Sequence, residues 1–224
     1  MTPDEEDGRP QPGELEGFAA QVAHDFNNLL TGILGNLELL QMRAAKIGVA
    51  GLETYIDGAN ASGTRAVEFT QRLLVFSGRM TQAPEAVLVT PLLREVADMQ
   101  NELELRLPDD ALEVLVDPAE LRLAIQELLN NAREALRGAG SPPVLSAAAE
   151  GNWVAIAVRD NGPGMPPDIQ AQARNLLFST RPNGAGRGLG LAIAARVAMA
   201  TGGRLELQSA PGEGCEAKLY LPMA

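Results

Sequence analysis

His24 is the sole histidine of a 224-residue chain, and Asp25 follows it directly. A neutral imidazole is a competent nucleophile near neutral pH, and an adjacent carboxylate orients it and stabilises the positive charge that develops on attack. Asn28 stands four residues on, one helical turn away on the same face. A second group of residues lies downstream. Glu127 and Asn131 are also four apart, and an amide oxygen can take a place in octahedral Mg²⁺ coordination. Asp160, Gly162 and Gly164 form an Asp-x-Gly-x-Gly pattern after a β-rich run. A carboxylate at a strand end can accept a hydrogen bond from the exocyclic amine of adenine, while the glycines let backbone approach the base. Gly184, Gly186, Gly188 and Gly190 alternate into an apolar segment. Such glycines expose successive N–H groups, and a helix N-terminus beyond them favours phosphate oxygens.

Each group also has an ordinary explanation. A lone histidine is often a surface residue, Asn130-Asn131 fits the wet face of an amphipathic helix, and Asn161-Gly162-Pro163-Gly164 is turn chemistry in any fold. A flexible linker would account for the glycines at 184–190, although a linker does not usually run directly into a regular apolar helix.

The elements that must position these residues follow from periodicity. Gly17 to about Met42 contains no proline, and Val22, Phe26, Leu29, Ile33, Leu37 and Leu40 recur at helical spacing. His24 is two residues from both Val22 and Phe26, about 200° around the helix from each, which turns it toward solvent. Ala44 to Gly51 reads as a connection. A second helix carries Ile56, Ala59, Gly63, Ala66, Thr70 and Leu73. The pair predicts an antiparallel hairpin, and one hairpin cannot cover its own apolar stripe, so a homodimeric four-helix bundle is expected. Met80 to Glu85, with Pro84, reads as a hinge. Beyond it the pattern predicts helices at 91–101, 118–137 and 189–201. Strands are expected at Glu102–Leu107, Leu112–Val116, 144–149, 153–159, 204–209 and 215–221, with a glycine-rich loop region over 160–190. Helices and mixed strands in this order suggest one sheet with a helical layer on one side. The domains expected are an acidic disordered leader over 1–15, the hairpin over 16–82, and the α/β domain over 83–224.

Composition narrows the function classes. The net charge of −11 disfavours nucleic acid as a partner. Cys215 is the only cysteine, which rules out an internal disulfide and a cysteine–histidine zinc site, and suggests a cytoplasmic setting. No apolar run reaches bilayer length, and the N-terminus is acidic where a secretory signal would be basic. Both lysines, Lys46 and Lys218, follow alanine, so the glycine–lysine pair of a P-loop is missing. The spacing of the 184–190 glycines does not fit the dinucleotide fingerprint either.

The segment His24-Asp25-Phe26-Asn27-Asn28-Leu29-Leu30 resembles the H box of sensor histidine kinases, of the HDFNNLL subgroup often found in hybrid or nitrogen-regulation-type kinases. Gln126 to Ala135 is similar to that family's N box, and Asp160 to Met165 to its first glycine box. Leu177-Phe178-Ser179-Thr180-Arg181 is similar to the F box, and Gly186-Arg187-Gly188-Leu189-Gly190-Leu191 to the second glycine box. The resemblance as a whole covers about residues 16 to 222. The resemblance implies an α+β chain: a dimeric helical hairpin, then an ATP-binding α/β sandwich of the GHKL (Bergerat) type. It implies that His24 receives the γ-phosphoryl group of ATP, with Asp25 as assisting acid/base and Mg²⁺ on Asn131. Asp160, Gly162, Gly164, Thr180, Arg181, Gly186, Gly188, Leu189 and Gly190 would line the nucleotide site. Glu127 stands where many relatives carry asparagine and the related gyrase and Hsp90 ATPases carry a glutamate base. Arg181 replaces the usual lysine, and Asn175-Leu176 departs from the usual Glu-Pro, which puts the lid hinge in doubt. Transfer to an aspartate of a response-regulator receiver domain is implied, and Asp25 with Asn28 matches the pattern linked to phosphatase activity.

Three other functions compete. A histidine phosphotransferase relay with a degenerate second domain would not bind nucleotide. A gyrase-like or mismatch-repair-like ATPase would keep its turnover in His24→Gln. A dimerisation scaffold would form no phosphohistidine from labelled ATP.

Overall fold

The computed structural model describes residues 12–47, 51–77, 83–100, 102–136, 141–173 and 188–224, without the side chains of residues 12–21, 24 and 76. The chain divides into two compact units, Met1–Arg79 and Met80–Ala224.

The first unit is a helical hairpin of α1 (Pro12–Ile47) and α2 (Glu53–Phe76). Helix α1 is longer at both ends than the apolar stripe predicts. It takes in residues 12–15 of the expected leader and the first half of the expected connection, since polar and small residues such as Gln41, Arg43 and Ala44 favour helix without marking a face. Positions 1–11 and 48–50 lie outside the described residues. The buried seam uses Ala23 and Leu30 from α1 against Ile56, Gly63 and Thr70 from α2. Phe26, Leu29 and Ile33, from the predicted stripe, are instead 53%, 65% and 53% exposed. The hairpin therefore has two apolar faces, one closed internally and one open.

In the second unit a five-stranded sheet runs in the order β2-β4-β5-β7-β6. Its strands are β2 (Glu104–Arg106), β4 (Val144–Glu150), β5 (Trp153–Asp160), β6 (Arg204–Ser209) and β7 (Cys215–Pro222). Only the β2–β4 pairing is parallel. Leu145, Val154, Ile156, Val158, Leu205, Leu219 and Leu221 are buried. They alternate along their strands with residues of the opposite face, as a one-sided core requires. Helices α4 (Pro118–Leu136) and α6 (Gly190–Ala200) pack against this sheet and each other, α4 on β5 and α6 on β6 and β7. On the other face Arg204 stacks on Tyr220 at 3.9 Å, and Lys218 and the Tyr220 hydroxyl both donate to Glu150. These long side chains shield Ala155 and Ala157, which pair with Tyr220 and Lys218 and are buried.

Three features depart from expectation. Glu85–Leu88, which overlaps the expected hinge only at Glu85 and carries no expected element, forms strand β1, antiparallel to β3 (Glu113–Val116) in a separate two-stranded sheet. It is four residues long and gains its order from pairing across the chain, which no local period reveals. Helix α3 starts earlier than expected, at Val89, and ends at Asp98, while Glu102 adopts φ 57° in place of strand geometry. The loop region contains a short helix α5 (Pro167–Gln172). Its sequence, Pro-Asp-Ile-Gln-Ala-Gln, lacks an apolar stripe, and Gln170 ties it to the Leu207 carbonyl at 2.6 Å.

Candidate nucleotide site and phosphoacceptor helix

Helix α4 carries one wall of the candidate nucleotide site. Asp117 caps it, with Oδ1 accepting from the Ala119 N–H at 2.8 Å. Buried leucines at 121, 128 and 129 hold its inner face on the sheet. Glu127, Asn131 and Ala135 then follow one another at intervals of four, on a single stripe. Glu127 is buried and Asn131 half-buried.

Two glycines press against this stripe from different loops. A Cβ on Gly190 would lie 2.9 Å from both Asn131 Nδ2 and Glu127 Oε2. A Cβ on Gly162 would lie 3.0 Å from Ala135 Cβ and 2.9 Å from Asp160 Oδ1. The second and first glycine boxes therefore meet the N-box helix at neighbouring turns. Gly188 has φ 61°, a conformation suited to glycine, and the buried Leu189 accepts from the Ile193 N–H at 2.9 Å, starting α6.

Asp160 ends β5 and is buried. Its Oδ1 accepts from the Gly162 N–H at 2.8 Å, and the backbone of Cys215 also bonds to the carboxylate. Burial nonetheless raises its pKa, the two backbone bonds opposing that shift. The loop after Asp160 is fastened to the β6–β7 turn: the Gly212 N–H donates to the Pro163 carbonyl at 2.7 Å and the Met165 N–H to Ser209 Oγ at 2.9 Å. Gly164, at φ 66°, is pressed so tightly that a Cβ would fall 1.9 Å from the Ala210 carbonyl oxygen.

Gly214 and Cys215 line the surroundings of Asp160 and belong to none of the motifs, whereas Ala135, beside Gly162, closes the N box. The readable signal was the Gly212-Glu213-Gly214 run inside a strand turn; a Cβ on Gly214 would meet the Asp160 carbonyl oxygen at 2.0 Å. The Cys215 thiol is pushed up to about 11, by burial first and the Asp160 charge next. Thr180, Arg181, Gly184 and Gly186 lie outside the described residues.

In the other unit His24 belongs to α1, and its side chain lies outside the described set. Asp25 and Asn28, one and four residues after it, are exposed, while Asn27 is half-buried and accepts from Thr70 Oγ1 at 2.7 Å.

Residues 14–79 match the family model described as "His Kinase A (phospho-acceptor) domain". Residues 116–224 match "Histidine kinase-, DNA gyrase B-, and HSP90-like ATPase". Sensor kinase CckA of Brucella abortus is 30% identical over 92% of this chain and 24% of its own length. The C4-dicarboxylate transport sensor protein DctB of Pseudomonas aeruginosa is 29% identical over 94% of this chain and 37% of its own. The chain thus spans 24% to 37% of the length of these relatives. The crystal structure of full-length ShkA in complex with AMPPNP superposes with a TM-score of 0.75 at 27% identity, covering 93% of this chain and 46% of that one. Two domains of these types, in this order along the chain, define a phosphoacceptor hairpin followed by a GHKL-type ATP-binding domain. The chain belongs to the sensor histidine kinase family and corresponds to its catalytic core. No helix among the described residues is long and apolar enough to cross a membrane.

Proposed function

We propose that this chain is a cytoplasmic homodimeric kinase core that phosphorylates His24 from ATP and passes the phosphoryl group to an aspartate of a response-regulator receiver domain. The observation that carries this reading is the convergence of Gly190 and Gly162 on the Glu127–Asn131–Ala135 stripe beside a buried carboxylate. Glycines packed where any side chain would fill the space leave a cradle of backbone N–H groups, polar at one end and able to take an adenine edge at Asp160.

Mg²⁺ fits this site through the Asn131 amide. No cluster of three acidic, histidine or cysteine ligands exists among the described residues, so an ion here would rely on phosphate oxygens and water, as Mg²⁺ commonly does. Bound there, it would neutralise charge on the phosphates. Asp160 would hold adenine, Gly188, Leu189 and Gly190 with Gly186 the phosphates, and Thr180 and Arg181 the lid side. Glu127 sits beside Asn131 and would orient that amide or a nearby water.

In the transfer step an imidazole nitrogen of His24 bonds to the γ-phosphorus as the bridging P–O bond breaks and ADP leaves. Asp25 supports the developing charge on the ring. Rate enhancement of this kind comes chiefly from positioning and charge neutralisation. The domain organisation that serves it is a hairpin over 16–82 and an ATP-binding domain over 83–224, with 1–15 as a leader. The exposed Phe26, Leu29 and Ile33 favour the homodimer, because a second copy would cover them. Asn28 would direct a water onto the regulator's aspartyl phosphate, making the enzyme a phosphatase as well.

Incubation with γ-labelled ATP and Mg²⁺ tests the reading. Acid-labile label should appear on the chain, be lost in His24→Gln and Asn131→Ala, and pass to a receiver domain. ATP turnover that persists unchanged in His24→Gln would sink it in favour of an ATPase, and an unlabelled chain that binds no nucleotide would sink it in favour of a relay.

A further inference from the structure

Two contacts set how α1 meshes with α2. A Cβ on Gly63 would come within 2.5 Å of Leu34 Cδ2, so this glycine lets the helices close. Seven residues further along α2 and seven back along α1, the buried Thr70 hydroxyl donates to Asn27 Oδ1 at 2.7 Å. The Ala66 and Val67 carbonyls, both at 2.9 Å, are within reach of the same proton. Asn27 is the nearest acceptor of the three and belongs to the other helix. Ile56, Gly63, Thr70 and Ser77 are buried at intervals of seven, so Thr70 occupies a seam position. A polar group in such a seam costs stability relative to an apolar one, and its partner specifies register.

The partner lies next to the phosphoacceptor. Asn27 is three residues after His24, about 60° around the helix from it. The bond therefore holds the turn of α1 that bears His24 at one rotation about the helix axis. It also separates two consecutive amides: Asn27 is drawn toward α2, and Asn28 is left on the exposed surface.

We propose that Thr70 is a positioning residue of the phosphoacceptor site, acting through Asn27 to fix the rotation of α1 at His24. This rests on the kinase reading above. Without the hydroxyl the turn samples other rotations and fewer chains present the imidazole in line. ATP binding, made by the other unit, is unaffected.

The test uses the 224-residue chain with Thr70→Val, Thr70→Ser and Asn27→Leu, and initial rates of His24 labelling over a range of ATP concentrations. Thr70→Val and Asn27→Leu should lower kcat about tenfold with KM unchanged, the rate equivalent of one neutral hydrogen bond. Thr70→Ser keeps the hydroxyl and should restore the rate. Because His24 is the only histidine, its imidazole resonance is a second readout. Thr70→Val should shift or split it, and Thr70→Ser should not. Asn27→Leu suits an apolar seam and carries the same decision if Thr70→Val melts the hairpin. An unchanged kcat with an unmoved resonance overturns the proposal, as does a loss that serine fails to restore or a parallel change in KM. An unmutated chain that takes no label would defeat the kinase reading instead. The resonance still reports on Thr70 in that chain, so the two failures are told apart.

Discussion

Glycines at the nucleotide site divide into two kinds, and the division is measurable. A methyl on Gly190 meets the far ends of the Asn131 and Glu127 side chains, which can move aside. Gly190→Ala should fold nearly normally and lose most nucleotide affinity, read by fluorescent-ATP titration. A methyl on Gly164 meets the Ala210 backbone at a positive φ, where neither side can yield. Gly164→Ala should cost about 3 kcal/mol or more in thermal or urea unfolding. Asp160 adds a pH dependence. Its folded pKa is raised above 3.8 by burial, so its contribution to stability is fully present below that value and is lost as pH rises through the folded pKa. In the proposed role of Asp160, the ionised carboxylate is the stronger acceptor for adenine's amine. Nucleotide binding should therefore fail on acidification at a higher pH than an ordinary aspartate would dictate, and titration of affinity against pH checks it. With its thiol near 11, Cys215 should alkylate slowly at neutral pH and faster in strong alkali.

Helix α1 has to serve three surfaces along one length. Ala23 and Leu30 close against α2, while Phe26, Leu29 and Ile33 remain open. Leu29→Glu should shift the chain from dimer to monomer in light scattering while leaving far-UV helicity in place. The third surface carries Asp25 and Asn28. Asn28→Ala should reduce dephosphorylation of a receiver domain about tenfold or more and leave His24 labelling largely intact. Equal phosphatase rates in the two proteins would remove that second activity from the site. Element type was readable for both hairpin helices because a period of 3 and 4 persists over many turns. Which apolar residues face α2 was not readable. On α1 most of the stripe of large side chains points to the open face and the seam uses Ala23 and Leu30, whereas on α2 the periodic positions Ile56, Gly63 and Thr70 are the buried ones.

Two compact units with separate cores predict separable responses to ligand and concentration. ATP with Mg²⁺ at about one hundred times Kd should stabilise the nucleotide-binding unit by roughly 2.7 kcal/mol. If the hairpin pairs as proposed, its transition should move instead with protein concentration. Differential scanning calorimetry across both variables checks this, and a single transition moving with both would contradict it.

The order of boxes, their element types and the chemistry each residue could perform were all present in the sequence. They depend on local features: a carboxylate after a strand, glycines before a helix, an imidazole beside an acid. Tertiary structure alone decided that Gly190 lies on Asn131 and Glu127 and that Gly162 lies on Ala135, because those contacts join segments far apart in the chain. It likewise decided the place of Gly214 beside Asp160, the pairing of β1 with β3, and the bond from Thr70 to Asn27. Close packing between distant segments leaves no period in either one, so each had to be folded against the other before its role could be read.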